Sequence, residues 1–191
     1  DLVEKNEFER LEYYSQKSRR ERSDQQHELW KSQQTLRRYY LKSLLESPLG
    51  LSQETAERGG IRFDEPFYTV VVFKNPMADG APMGDGSHFA VLQIAIMNIF
   101  QEIAEPHFAL ELTALGETCV AIVGMQENTL AQDEQLLADI RETQQQIRAH
   151  FRVNPGAAVG ETHAGAADIR AAYQEALEAL SYLRDDGEPV A

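Results

Sequence analysis

Apolar residues are sparse along the first 46 positions. They fall at Leu2, Phe8, Leu11 and Tyr14, and again at Leu29, Leu36, Tyr40 and Leu44, on either side of a wholly polar middle at 15–28. No Gly or Pro interrupts the stretch, which is rich in the helix formers Glu, Lys, Arg, Gln and Leu. The pattern predicts one long N-terminal helix. Such a helix is not stable in isolation. It is expected to pair with a second copy as a coiled coil, to pack on the domain that follows, or to run as a solvated linker. Leu29, Leu36, Tyr40 and Leu44 are its candidate dimer or relay positions. Ser47-Pro48-Leu49-Gly50 ends it, because Pro disfavours helical geometry before it and Gly is a frequent stop. The expected division is therefore a connecting helix at 1–46 and a domain at 47–191.

The domain opens with a short helix expected from Ser52 to Arg58, closed by Gly59-Gly60. Phe67–Phe73 (FYTVVVF) is dense in aromatic and β-branched residues and reads as a central strand. Gly and Pro cluster over 75–86, which predicts a loop. A helix follows over 87–105, with Phe89, Leu92, Ile96, Ile99 and Ile103 on one face. Two apolar runs, Phe108–Leu112 and Cys119–Val123, flank the tip Ala114-Leu115-Gly116-Glu117-Thr118, which reads as a β-hairpin. Few charges interrupt either run, so the hairpin is expected in the buried middle of a sheet. A helix over 128–151 carries Leu130, Leu137, Ile140 and Ile147 on its inner face. A small-residue strand over 155–160 and an Ala-rich helix over 165–183, with Ile169, Ala172, Tyr173, Ala176 and Leu180 inward, complete the chain. The order is strand, helix, strand, strand, helix, strand, helix. That predicts an α+β fold of the ferredoxin-like βαββαβ plan, with the helices on one side of the sheet.

Composition changes this picture in one respect. The formal net charge of −13 is unevenly spread: residues 1–46 hold ten Lys/Arg and nine Asp/Glu, whereas 47–191 hold eight and 22. An acidic body argues against nucleic-acid binding by the domain itself, because phosphate contacts need clustered cations. Cys119 is the single cysteine, which fits a reducing compartment. No run is apolar and long enough to span a membrane, and no signal peptide is expected among these residues. The chain starts at Asp1 within a helical pattern and is expected to be a piece of something longer.

Candidate chemistry is thin. Glu117 could hold a divalent ion, but a nucleotide-polymerising site needs two carboxylates around the metal. It is expected to be a turn residue. Gly116 is expected to supply a positive φ, and Cys119 to be an inert packing thiol. The five histidines show no ligand spacing, and the Gly84-Asp85-Gly86 stretch matches neither a calcium nor a phosphate loop. Tyr173 is expected in the core, and Arg37 and Arg38 are expected to pair with Glu residues along the helix or with the acidic body. No metal and no cofactor is expected.

The βαββαβ order with a Gly-acid hairpin tip resembles the GGDEF domains that make cyclic dinucleotides. Their tip reads Gly-Gly-Asp/Glu-Glu-Phe. Here the matching residues are Leu115, Gly116, Glu117, Thr118 and Cys119, a degenerate version in which only Gly116 and Glu117 fit. The family's first strand ends in a metal-binding aspartate; here Phe73-Lys74-Asn75 stands there. Its RxxD motif is also absent, since Leu110-Glu111-Leu112-Thr113 has no Arg. The C-terminal run is a closer match. Gly160, followed by Ala172-Tyr173-Gln174-Glu175-Ala176 and Ala179-Leu180, resembles the "G…SYxEAxxAL" of GGDEF-like regulatory domains in AraC-family and sugar-diacid-type transcription regulators. The run 36–45 resembles the helix preceding that domain in membrane-anchored AraC-type regulators. The resemblance implies a non-catalytic, cytoplasmic regulatory and dimerisation domain. It would relay a signal from a membrane sensor to a C-terminal helix-turn-helix pair, acting as a homodimer. DNA and membrane would be met only through segments outside these 191 residues. The alternative is a small-ligand domain on the same fold, with the tip and the 75–86 loop forming a nucleotide or metabolite pocket; an active nucleotide cyclase is a third reading.

Overall fold

A computed structural model describes residues 33–47, 60–75 and 87–183. Leu29, the helix expected at 52–58 and most of the 75–86 loop lie outside the described residues. The elements are helix α1 (33–46), strand β1 (Phe67–Lys74), helix α2 (Ser87–Ala104), strands β2 (Ala109–Leu115) and β3 (Thr118–Met125), helix α3 (Leu130–Phe151), strands β4 (Gly156–Val159) and β5 (His163–Ala164), and helix α4 (Ile169–Ser181) after one 3-10 turn. The result is a mixed helix and antiparallel-sheet fold. The sheet runs β2-β3-β1-β4, with β5 also on β1, and every pairing is antiparallel.

The sequence pattern placed the helices on one side of the sheet; they cover both. Tyr68, Val70, Val72, Val120 and Ile122 face α1 and α4. Val71, Phe73, Cys119, Ala121 and Val123 face α2 and α3. The reason was present in FYTVVVF itself. A strand with one wet face alternates, whereas an unbroken apolar run needs cover on both faces; Tyr68 to Phe73 are all buried.

The hairpin also departs from expectation. Only β3 lies inside the sheet, and it is buried over seven of its eight residues. Its partner β2 is the edge strand, with Ala109 exposed and Glu111 half-buried. An edge strand tolerates a charge that an inner strand does not, and β2 carries that charge at Glu111.

Two helices keep part of their expected faces (Leu92, Ile96 and Ile99 in α2, Ile140 and Ile147 in α3) and differ at the rest. In α3, Leu130 is 73% exposed and Leu137 is also exposed, while Leu136, Asp139, Ile140, Thr143 and Ile147 turn inward. A buried acid hid this stripe. The Asp139 carboxylate lies 2.9 Å from His107 Nδ1 and accepts a 2.8 Å bond from Gln135 Nε2, so its burial is matched by partners. In α2 the stripe is Leu92, Ile96, Phe100 and Ala104, and Phe100 stacks edge-on against Phe73 at 5.1 Å. The inner face of α4 is as expected: Ile169, Ala172, Tyr173 and Ala176 are buried and Leu180 is partly so.

Candidate functional site

Three segments meet at the C-terminal end of β1. The ladder pairs Phe73 with Cys119 and Lys74 with Thr118, so the strand delivers Asn75 directly beside the hairpin tip. The Asn75 backbone N–H donates to Glu117 O at 3.1 Å. Its side-chain amide, fully buried, donates to Phe89 O at the start of α2 at 3.2 Å. From the next turn of α2, Gln93 Nε2 reaches Gly116 O at 3.1 Å and Thr118 O at 3.3 Å. Two neutral amides, Asn75 and Gln93, therefore tie strand, helix and tip together.

The tip is a two-residue turn. Gly116 has φ 55° and Glu117 stays at negative φ, the pattern of a type II′ hairpin with Gly first. A Cβ at Gly116 would meet nothing within 4 Å; glycine is needed there for its backbone angle and not for space. Thr118 Oγ1 donates back to Leu115 O at 2.9 Å. Leu115 is buried in the cluster under α1. Glu117 points to solvent. Cys119 is buried against α2, where its thiol donates to Gln93 O at 3.5 Å, and desolvation pushes its pKa up to about 12. That is an unreactive thiol.

Among the described residues no pair of carboxylates converges on the tip. The position facing the tip is an amide already bonded to Phe89 O, and the one acid of the turn is exposed. Mg²⁺ wants hard anionic oxygens converging on it, and among the described residues no group of three or more His, Cys, Asp or Glu comes together.

A family model of the GGDEF-like domain matches residues 48–182. The chain belongs to the GGDEF-like domain family. No curated protein matches it. The conspicuous C-terminal motif of this GGDEF-like domain turns out to be a packing device. Gly160 donates its N–H to Val70 O at 2.9 Å and accepts from Thr69 Oγ1 at 2.7 Å. A Cβ on Gly160 would stand 2.0 Å from the Ala172 carbonyl oxygen, so α4 rests its backbone on the strand end. Glu175 then accepts from the Glu161 N–H at 2.8 Å, and its carboxylate lies 3.1 Å from His163 Nε2. Tyr173 is buried beside it, and burial first, then the nearby Glu46 charge, raises its pKa.

The expected relay positions divide. Leu44 is buried, Tyr40 packs partly on the same cluster, and Leu36 is 46% exposed. The positions that dock α1 most completely are Leu41 and Leu45, each 1% exposed, which the sequence pattern alone did not single out. The signal was the Leu41-Leu44-Leu45 triplet, whose three- and four-residue spacing defines a face, one residue round from the ladder 36, 40, 44. A polar contact adds to it. Arg37 Nη2 lies 2.5 Å from Glu111 Oε2 on β2. Burial raises the Glu111 pKa, and the Arg37 guanidinium pulls it only part of the way back. Arg38 makes no ion pair or side-chain hydrogen bond among the described residues.

Proposed function

We propose that this GGDEF-like domain, read as a degenerate member on the ferredoxin-like plan, is a non-catalytic regulatory module of a membrane-anchored AraC-family transcription regulator. It passes a signal from a membrane sensor upstream to a helix-turn-helix pair downstream, works in the cytoplasm, and acts as a homodimer. The observation that carries the reading is the docking of α1. Leu41, Leu44 and Leu45 share one cluster with Tyr68, Val70, Ile122, Ala172 and Tyr173, so the connecting helix is part of the domain's core. Close-packed interiors respond to a shifted helix by switching arrangement rather than by deforming continuously. A rotation or slide of α1 would therefore be felt at α4, the last of the described helices. The amide at Asn75 supports the non-catalytic half of the reading.

Two measurements test it. Incubation with GTP or ATP and Mg²⁺ or Mn²⁺ is expected to give no cyclic product; turnover would overturn it. Sedimentation of the chain with and without residues 1–32 is expected to show self-association that weakens on truncation. A monomer in both cases rules out the dimer. The cut belongs before 33, because removing all of 1–46 would expose the sheet face that Leu41 and Leu45 cover.

A further inference from the structure

A cavity of about 340 Å³ lies between α1 and the hairpin tip. Arg38, Lys42 and Glu46 line it from α1, Gln93 from α2, and Leu115 and Gly116 from the tip. Its size is that of a small-molecule site. Its charge is unlike that of the chain around it. The 47–191 body is strongly acidic, yet none of its described carboxylates neutralises Arg38, whereas the adjacent Arg37 is held by Glu111. Lys42 is only loosely engaged, with Glu46 Oε2 at 3.8 Å and both side chains about half exposed. The cavity thus holds two cations against one loosely paired anion. The open side of Gly116, where a Cβ would touch nothing within 4 Å, leaves the backbone of the tip approachable.

We propose that this cavity binds a small oxyanion, a phosphate or carboxylate group on a small molecule, with Arg38 as its principal ligand and Lys42 as its second. The guanidinium fork matches the paired oxygens of either group. Lys42 supplies a mobile point charge one helical turn further on. Neutral Gln93 bounds the cavity from α2 without repelling the ligand. A ligand seated there bridges α1 and the tip, so it binds the docked helix more tightly than an undocked one and favours docking by mass action. The proposal does not rest on the relay reading: a catalytic or monomeric protein could hold the same anion.

The test is titration of the 191-residue chain with inorganic phosphate and, separately, with citrate, followed by calorimetry and by amide chemical shifts. The shifts are expected to concentrate at Arg38, Lys42, Gly116 and Glu117, with affinity in roughly the millimolar range and falling with added salt. The tighter of the two probes identifies the head group. Arg38→Ala, at an exposed position, is expected to weaken binding about tenfold and leave the fold intact, whereas Arg141→Ala on the far helix α3 changes nothing. Glu46→Gln is expected to tighten binding by removing the competing charge. Absence of binding by either probe at roughly ten times that concentration overturns the proposal, as does binding that Arg38→Ala and Glu46→Gln both leave unchanged.

Discussion

The hairpin tip and the seam between β4 and α4 are two glycine-marked corners of one sheet, and they are built to opposite tolerances. At the tip, a Cβ on Gly116 would meet nothing within 4 Å, and its φ of 55° is what requires glycine. At the seam, Gly160 has an ordinary backbone but no room, with the Ala172 carbonyl where a methyl would go. The first corner is a turn and the second is a backbone packing contact. Gly116 holds the turn of the first corner, and Gly160, Tyr173 and Glu175 hold the second. A corner whose residues hold only a turn can change its side chains at little cost to stability. A corner where helix and strand backbones touch cannot.

The sharpest way to break that contrast is Gly160→Ala. The added methyl meets backbone on the far side, so α4 must lift from the sheet and drag Tyr173 and Glu175 with it. We expect a loss of roughly 3 kcal/mol or more, at the upper end for overpacking, read as a lowered denaturant midpoint. A loss under about 1 kcal/mol would show that the seam yields and that the two corners do not differ. Next in size is Leu45→Ala on α1. Leu45 is 1% exposed and sits in the same cluster as α4, so its truncation should cost roughly 2–4 kcal/mol. A near-neutral result would mean that α1 is only laid against the domain.

These two corners were unequally legible in the sequence. FYTVVVF and the Ala-rich stripe of α4 announced a strand and a closely packed helix, because period and residue size are local properties. The sharing of the sheet between two helical layers was also written in FYTVVVF, but needed the absence of alternation to be read as cover on both faces. The α3 stripe was hidden because Asp139 occupies a core position, and only its tertiary partners His107 and Gln135 make that tolerable. The tip's chemistry was legible as a composition, one Gly and one acid, and not as a geometry. That Asn75 would spend its amide on Phe89, and that Arg37 would find Glu111 while Arg38 would not, depends on contacts 14 and 74 residues apart.

Gly116→Ala sharpens the comparison from the other side. The space is free, so the cost is the left-handed backbone angle alone, about 1 kcal/mol. The same Gly-to-Ala change should therefore be clearly milder at the tip than at the seam. Replacement at Gly116 by Asn, which tolerates positive φ, should recover much of that loss, and Asn at Gly160 should not.

The smallest effects belong to the acids of the hairpin, and pH separates them. Burial raises the Glu111 pKa in the folded protein, so the folded state holds that proton more tightly than the unfolded chain does. Its unfavourable contribution is present in full above the folded pKa and is relieved as pH falls through it. Relative to Glu111→Gln, the unmodified chain should gain stability as the pH is lowered from about 7 to about 5, measured by urea unfolding at each pH. If the unmodified chain instead lost stability relative to Glu111→Gln over that window, Arg37, and not burial, would govern the carboxyl. Glu117 is exposed on the same hairpin, and Glu117→Ala should change stability by no more than about 0.5 kcal/mol, as for ordinary surface positions. If Glu117→Ala instead altered the protein strongly in the presence of Mg²⁺ and a nucleotide, the open corner would be a working site, and the contrast between a bare turn and a packed seam would fail.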